Sequence, residues 1–198
     1  MNIAWALDLS EVEFLDALKR KERWAQQALY EQHYSKMMGI CLRYASSRDE
    51  AMDLLHESFI KIFQNIHRYQ TQTSLVGWMR TIVVNTCIDH HRKNLRRRTE
   101  DLEETYALPT QDPDIFSHLS EKEILEAVQQ LPPAYRAVFN LYVVEGYSHR
   151  EIAEALQITE STSRSNLLKA RNKLQAFLIK RLELKQAQRI EDSLLPDP

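Results

Sequence analysis

The stretch SHREIAEALQITESTSRSNLLKARNKL, residues 148–174, decides how the rest of this sequence is interpreted. Ser148 and Glu151 have the spacing of a capping box, which predicts that a helix begins there. A second helix is predicted to follow, with Leu167 on its apolar stripe and a basic, hydroxyl-rich opposite face. Two short helices joined by a tight turn are typical of a helix-turn-helix that places one helix in the DNA major groove. The alternative is a solvated helix pair in a bundle, because short motifs also match by chance.

The composition favours helices throughout the chain. The 198 residues include only 3 glycines and 6 prolines, so few turns need a positive φ, and strong helix formers dominate the periodic stretches. The net charge of −2 excludes a uniformly basic nucleic-acid coat, but the charge is segregated. Five basic residues and no acid lie in 90–98, and nine acids with one lysine follow in 99–126. We therefore predict an all-α protein whose neighbouring segments have different electrostatic tasks.

Breaks in the helical periodicity divide the chain into two domains. Pro109 and Pro113 lie in an acidic stretch without sustained periodicity, which is typical of a linker. The predicted segments are a first helical domain (8–95), an acidic flexible linker (96–117), a second helical domain with the helix-turn-helix (118–182) and a fraying tail (183–198).

The two cysteines indicate a reducing compartment, since Cys41 and Cys87 lie among apolar residues and no CxxC or disulfide framework is present. Cys87, His90 and His91 have a spacing that brings three metal ligands together on a helix. No fourth ligand follows at zinc-site spacing, so a buried cysteine beside two exposed histidines is favoured, and we expect no metal or cofactor. No signal peptide and no transmembrane-length apolar run are visible, so we expect a cytoplasmic protein without membrane insertion.

An acidic pair occurs in DLLHESF, where Asp53 and Glu57 are one helical turn apart and away from the apolar face. Three interpretations are open for this pair. It is a solvated acidic face, a docking surface for a basic partner, or a pair of catalytic carboxylates. The last interpretation needs a pocket and a reaction partner, and the sequence offers neither.

A polar loop and the helix after it suit single-stranded DNA. The loop RYQTQTS at 68–74 contains Tyr69, and Asn85, Asp89 and Arg92 follow with i, i+4, i+7 spacing on one side of a helix. An aromatic ring and polar side chains beside a basic strip are typical of surfaces that bind unpaired bases. On its own, Tyr69 is better interpreted as a core aromatic residue. The basic run that begins at Arg92 is interpreted as a phosphate contact.

Three blocks follow one another in the sequence: DLLHESFIKIFQNIHRY (53–69), GWMRTIVVNTCIDHHRK (77–93) and LPPAYRAVFNLYVVEGYSHREIAEALQITESTSRSNLLKARNKL (131–174). In this order and spacing they resemble a bacterial RNA polymerase sigma factor of the extracytoplasmic-function subfamily, over about residues 25–180. The resemblance implies a first helical domain called sigma region 2, joined by the acidic linker to a second called sigma region 4. The implied function is to bind core RNA polymerase, direct it to specific promoters and promote DNA opening, without being an enzyme.

The same resemblance implies residue roles. Asp53 and Glu57 would dock on the polymerase's largest subunit, and the loop with Tyr69 would help capture a base flipped from the minus-ten element. Asn85, Asp89 and Arg92 would line the surface that melts and reads this element. The residues that would read the minus-thirty-five element and its phosphates are Arg164, Ser165, Asn166, Lys169 and Arg171. An anti-sigma factor is expected as a further partner, beside core RNA polymerase and promoter DNA.

Three positions depart from the family pattern. Gln157 stands in the turn where glycine is usual, and a left-handed Gln157 costs on the order of 1 kcal/mol relative to glycine. Ser161 stands where glycine is frequent, and Asn166 stands where a basic residue is common. Because asparagine pairs well with adenine, these departures bear on the preferred promoter sequence.

Other classes of function predict different behaviour. A stand-alone repressor or activator that binds DNA as a dimer would not need Asp53 or Glu57, and no dimerisation coil or effector domain is visible. This stand-alone regulator ranks second among the possible functions, and an anti-sigma-like adaptor ranks third. A metal-dependent nuclease built on the same two carboxylates ranks last, because the chain has no phosphate-binding glycine loop and no nucleophile elbow.

Overall fold

The computed structural model describes residues 11–70, 73–97 and 120–194. Within these ranges all regular structure is helical, which confirms the all-α prediction. In chain order the helices are α1 (Glu11–Lys19), α2 (Arg23–Tyr44), α3 (Arg48–Asn65), α4 (Leu75–Arg97), α5 (Glu121–Gln129), α6 (Pro133–Phe139), α7 (His149–Leu156) and α8 (Glu160–Leu194). A 3₁₀ turn, Ile66–Arg68, follows α3, and a π-helical segment, Asn140–Val144, follows α6.

The chain divides into two compact units, the first ending at Asn94 and the second beginning at Leu95. The first unit is a helical bundle in which α2 and α3 form the main packed pair. Its core side chains are almost fully buried, and they come from α1 to α4 at helical spacing. They include Leu15, Leu18, Leu29, Met37, Leu54, Leu55, Ile62, Met79 and Val83. The burial of one stripe on each helix leaves the opposite faces of α3 and α4 for function.

The second unit is built around α8. Ala127, Val128 and Leu131 from the α5 segment pack with a stripe on α8 that is completed by Ala170, Leu174 and Leu178. Arg136 is buried in α6, and its guanidinium donates hydrogen bonds to the carbonyls of Gln129 and Leu131, which fixes the turn between α5 and α6. These contacts leave the first turns of α8 beside α7, as a helix-turn-helix requires.

Capping boxes begin two helices of this unit, and the one at Ser148 is the one predicted above. Ser148 and Glu151 make a complete capping box at the start of α7, and Ser120 and Glu123 make another at the start of α5. The residue that caps the C-terminal end of α7 is Gln157, which has φ 58° and ψ 44°. This residue is therefore left-handed, at a cost of about 1 kcal/mol relative to glycine.

Two predicted segment ends differ from the structure. Helix α8 continues to Leu194, where a fraying tail was expected from 183 onward, because residues 160–194 contain no glycine or proline and are rich in helix formers. Residues 96–97, expected at the start of the linker, are the last turn of α4. The rest of the predicted linker, 98–117, lies outside the described residues. Among the helices of the described ranges, none has the length and apolar character needed to cross a bilayer.

Candidate nucleic-acid interfaces

The outer face of α3 combines two carboxylates with an apolar side chain. Asp53 is exposed, Glu57 follows one turn later, and Ile60 lies almost one further turn along the same face. Ile60 is 56% exposed although it belongs to a helix with a well-formed core stripe. We call these three residues the docking face. Sequence reasoning did not include Ile60, but its position outside the buried stripe of Leu55, Phe59 and Ile62 was a signal.

Lys61 connects this face to α4. Its Nζ atom lies 2.9 Å from Oε1 of Glu57 and 3.8 Å from Oδ2 of Asp89. It also donates a hydrogen bond of 3.2 Å to the Thr86 hydroxyl. The hydrogen bond from Lys61 lowers the pKa of Glu57 and outweighs the opposite effect of partial burial. One ammonium group therefore lies between a carboxylate predicted to bind polymerase and a carboxylate predicted to face DNA.

Two of the predicted minus-ten residues line an open groove beside Lys61. This groove has a volume of about 330 Å³ and lies between the end of α3 and the outer side of α4. Trp78 and Ile82 supply apolar walls. We call it the α3–α4 groove, and its full lining is Lys61, Asn65, Arg68, Trp78, Ile82, Asn85, Thr86 and Asp89. Ring, aliphatic, amide and cationic groups together are what an unstacked base requires.

Asn85 and Asp89 are the two groove residues that the sequence analysis identified. Arg92 extends the same side of α4, and its Nη1 atom lies 3.7 Å from Oδ1 of Asp89. The other groove residues of α4 continue the pattern backward, since Trp78, Ile82 and Asn85 recur at helical spacing. A search for polar and aromatic residues along that stripe would have found them. The α3 residues could not be found in this way, because they reach the groove through tertiary packing.

Tyr69 is buried rather than presented to solvent. It is 6% exposed, its ring centroid lies 5.6 Å from that of Trp78, and its hydroxyl donates a hydrogen bond to the Thr73 carbonyl. This placement agrees with a core aromatic that supports the groove wall and the loop beyond it. The role of loop 68–74 in base capture stays a prediction, and residues 71–72 lie outside the described ranges.

His90 has a structural partner in the first unit. Its Nε2 atom lies 2.8 Å from Oε1 of Glu50, whose other oxygen accepts a hydrogen bond of 2.6 Å from the Ser46 amide. Burial raises the pKa of Glu50, but these two hydrogen bonds together lower it by a larger amount, so the net shift is downward. Cys87 is buried nearby. Within the residues that the structure describes, no group of three histidine, cysteine or acidic side chains is placed to hold a metal ion.

The start of α8 presents the predicted minus-thirty-five residues. Arg164, Ser165 and Arg171 are exposed, whereas Asn166 and Lys169 are partly exposed. Arg164 forms an ion pair of 2.6 Å with Glu160 one turn earlier. All five predicted side chains therefore belong to the first twelve residues of one helix, although they do not share a single narrow face.

Two of these cations lie over aromatic rings. The Lys169 ammonium lies 5.9 Å from the centroid of the Tyr135 ring, and the Arg171 guanidinium lies 5.9 Å from the centroid of Tyr142. Tyr142 in turn stacks on His149 with a centroid distance of 4.6 Å. The rings orient these cations without neutralising their charge.

A partly buried hydrogen bond holds α7 to α8. Ser163 is fully buried, and its Oγ atom lies 2.9 Å from Nδ1 of His149 at the first position of α7. Burial lowers the pKa of His149, and the positive charges of Arg164 and Arg171 lower it further, while Glu160 opposes them. Neither His149 nor Ser163 was identified from sequence, because their contact depends on the angle between the two helices.

Comparisons with known proteins agree with this arrangement. The family Sigma-70 region 2 matches residues 29–97, and the family Sigma-70, region 4 matches residues 121–174. The ECF RNA polymerase sigma factor SigE of Mycolicibacterium smegmatis is 32% identical over 157 residues, which are 77% of this chain and 61% of that protein. The ECF RNA polymerase sigma-E factor of Haemophilus influenzae is 25% identical over 191 residues, covering 87% of this chain and all of that protein.

Among solved structures, the sigma factor RpoE in complex with the anti-sigma factor NepR from Bartonella quintana has a TM-score of 0.46 and 21% identity. The match covers 77% of this chain and 95% of that chain. The two family matches together cover more than half of the chain and fall on separate structural units. The chain therefore belongs to the sigma-70 family as an extracytoplasmic-function sigma factor, a class that works with RNA polymerase in promoter-directed initiation of transcription.

Proposed function

We propose that the chain is a sigma factor without catalytic activity of its own, which divides promoter recognition between its two units. The first unit docks on core RNA polymerase and holds a strand of the opened minus-ten element. The second unit binds the minus-thirty-five element as a duplex. The α3–α4 groove carries this proposal, because it places a site suited to an unstacked base beside the docking face.

The docking face has the composition of a protein interface. Ile60 provides exposed apolar area, and Asp53 and Glu57 provide negative charge next to it. Apolar contacts supply much of the binding free energy at an interface, whereas complementary charges guide association and orientation. The partner surface on core polymerase is therefore expected to be basic with an apolar patch.

The α3–α4 groove suits one nucleotide of a displaced strand. Its volume of about 330 Å³ lies near the lower end of the range for small-molecule pockets. Trp78 offers a ring for contact with a base, and Asn85 offers amide groups for its hydrogen-bonding edge. Binding of an unpaired base offsets lost stacking in the duplex, which is how protein surfaces favour local opening.

The exposed start of α8 suits a duplex. Lys169 and Arg171 are suited to phosphates, and Arg164 and Ser165 can reach base edges or phosphates. Asn166 can form two hydrogen bonds with an adenine, so adenine is the base expected at one contacted position of the minus-thirty-five element.

The proposal extends to location and regulation. A protein that works with bacterial RNA polymerase on DNA acts in the cytoplasm. An anti-sigma factor is proposed as a further partner. Tyr142, Val143 and Val144 form an exposed apolar surface in the second unit that suits a protein partner.

Reconstitution tests the proposed function directly. Purified protein is mixed with bacterial core RNA polymerase that lacks sigma, and run-off transcripts are sequenced from a genomic fragment library. Discrete transcripts that depend on the protein are the expected result, and their start sites give the promoter sequence. If the protein does not bind core polymerase, the proposal is wrong, and a stand-alone DNA-binding regulator becomes the better explanation.

The docking face is tested by replacing its carboxylates. Asp53→Ala with Glu57→Ala is expected to weaken binding to core polymerase by about tenfold or more, because both charges leave one interface. Binding to core polymerase is measured by fluorescence anisotropy of labelled protein. The matched control, Glu31→Ala with Glu183→Ala, removes two exposed carboxylates elsewhere. Equal loss in both variants would show that net charge, rather than the docking face, determines the affinity.

A further inference from the structure

Lys61 is placed to act in strand binding, although it was absent from the predicted site residues. We infer that Lys61 is a DNA-contacting residue that Glu57 masks in the free chain, and that engagement of Glu57 by core polymerase unmasks it. This inference rests on the proposed function of the α3–α4 groove as a site for single-stranded DNA. It deepens that function by naming the residue pair through which docking on core polymerase strengthens strand binding.

The position of Lys61 is the first argument. Its side chain lines the groove and is 33% exposed, so a phosphate or a base in the groove can reach its ammonium group. Its hydrogen bond to Thr86 holds it toward α4. A cation at the side of a groove with apolar walls is well placed to pair with a backbone phosphate.

Charge balance is the second argument. Lys61 lies between Glu57 at 2.9 Å and Asp89 at 3.8 Å, and Arg92 lies 3.7 Å from Asp89. With Arg68, which also lines the groove, these side chains carry three positive and two negative formal charges, so their net attraction for a phosphate is small. When Glu57 is neutralised or paired elsewhere, the net positive charge rises from one to two.

Location is the third argument, because it identifies Glu57 as the partner that can change. Both carboxylates are exposed, Glu57 by 41% and Asp89 by 49%. Glu57 belongs to the docking face, whereas Asp89 belongs to the groove and also pairs with Arg92. Ion pairs with this much exposure contribute little to stability, so exchange of partners has a low energetic cost. A basic group of the polymerase that takes Glu57 therefore releases Lys61 to the groove.

The consequence is reciprocal coupling. If docking strengthens strand binding through Lys61, strand binding must strengthen docking by the same factor. The free chain then binds single-stranded DNA less tightly than the complex with core polymerase does. Binding of unpaired DNA is thereby biased toward the complex that can use it.

The test uses the free full-length chain and a fluorescently labelled pool of single-stranded DNA of randomised sequence, measured by anisotropy at low salt. Glu57→Gln keeps the shape of the side chain and removes its charge, and it is expected to tighten binding about threefold. The matched control is Asp53→Asn, which removes the same charge one turn away and, among the described contacts, has no ion pair with Lys61. This control is expected to tighten binding by much less.

If Glu57 masks Lys61, the tighter DNA binding of Glu57→Gln must depend on Lys61. In a Lys61→Met background, Glu57→Gln is expected to give no gain, and Lys61→Arg is expected to restore it. The inference is overturned if Glu57→Gln and Asp53→Asn tighten binding equally, or if the gain persists in the Lys61→Met background. Thermal unfolding of each variant checks that the fold is retained. If Lys61→Met unfolds, Lys61→Gln, which removes the charge and keeps a hydrogen-bond donor, takes its place in the same test.

The two proposals fail in different ways. If Glu57→Gln gives no gain while the wild-type chain still produces promoter-dependent run-off transcripts, masking is wrong and the proposed function stands. If the wild-type chain produces no such transcripts and does not bind core polymerase, the proposed function fails first. In a successful run-off assay, Lys61→Met is expected to reduce transcripts without weakening binding to core polymerase.

Discussion

The cations of the two candidate DNA surfaces are held in different ways. In the first unit, Lys61 and Arg92 lie beside the carboxylates of Glu57 and Asp89. In the second unit, Lys169 and Arg171 lie over tyrosine rings. A carboxylate both orients a cation and cancels its charge, whereas an aromatic ring orients it and leaves the charge available.

This difference corresponds to the form of DNA that each surface is proposed to bind. Duplex phosphates are present before transcription begins, so a surface that binds them gains from cations that are already available. Unpaired bases exist only after opening, so a surface whose cations are mostly compensated binds other nucleic acid less before that point. In the proposed roles, the second unit is ready in the free chain and the first unit is strengthened in the complex.

The largest expected effect tests the second unit. Lys169→Ala with Arg171→Ala is expected to weaken binding to the minus-thirty-five duplex, obtained from the run-off sequences, by about a hundredfold, because two phosphate contacts are lost. The slope of log affinity against log salt is expected to fall by about 2. The control Lys122→Ala with Lys180→Ala removes two exposed lysines of the same unit. Equal losses of duplex affinity in the two double variants, or an unchanged salt dependence, would show that Lys169 and Arg171 are not the phosphate contacts of the second unit.

An intermediate effect is expected from pH, and its sign follows from His149. In the free chain burial and the nearby Arg164 and Arg171 lower the pKa of this histidine. Phosphates that neutralise the two arginines raise this pKa in the complex, so proton uptake accompanies binding and the affinity increases as the pH falls through the histidine range. We expect about a threefold increase between pH 7.5 and pH 6, since charges interacting near a surface contribute modestly.

Anisotropy titrations with the minus-thirty-five duplex at a series of pH values check this expectation. His149→Gln keeps a hydrogen-bonding side chain without a titratable group, and it is expected to remove the pH dependence. Weaker binding at the lower pH, or the same dependence in His149→Gln, would show that phosphates do not compensate Arg164 and Arg171.

The smallest expected effect sharpens the comparison within α8. Glu160 is the carboxylate that pairs with Arg164, and both side chains are well exposed. Such a pair is weak, so Glu160→Gln is expected to raise duplex affinity only about twofold. Duplex anisotropy measures this change. If Glu160→Gln instead gave a gain larger than that of Glu57→Gln on single-stranded DNA, the second unit would be the one that is masked.

Sequence reasoning predicted what depends on neighbours along the chain. Capping boxes and the all-α class follow from rules that act within a few residues. From the sequence, a left-handed Gln157 was only a condition, which the structure meets. Asn85 and Asp89 were identified because they share one side of a single helix. The cations at the start of α8 were identified because they lie on one basic predicted helix that resembles the family's recognition helix.

The rest depended on contacts between distant segments. Lys61 reaches Thr86 across 25 positions, and His149 reaches Ser163 across the turn of the helix-turn-helix. Tyr69 illustrates the same limit, since its burial depends on Trp78. The length of α8 was underestimated for another reason. Residues 183–194 were expected to fray, but strong helix formers without glycine or proline continue to Leu194.

The length of α8 gives it the mechanics of a lever. Its 35 residues make one continuous rod of about 52 Å. Arg181 clamps this rod to α5 through an ion pair of 2.7 Å with Glu126, about 30 Å from the end that begins at Glu160 and about 20 Å from Leu194. Because Ala170, Leu174 and Leu178 pack the DNA-facing arm into the core, a protein that grips the far arm would turn the second unit as a whole. Leverage of this kind would allow control of promoter binding from a surface that never touches DNA.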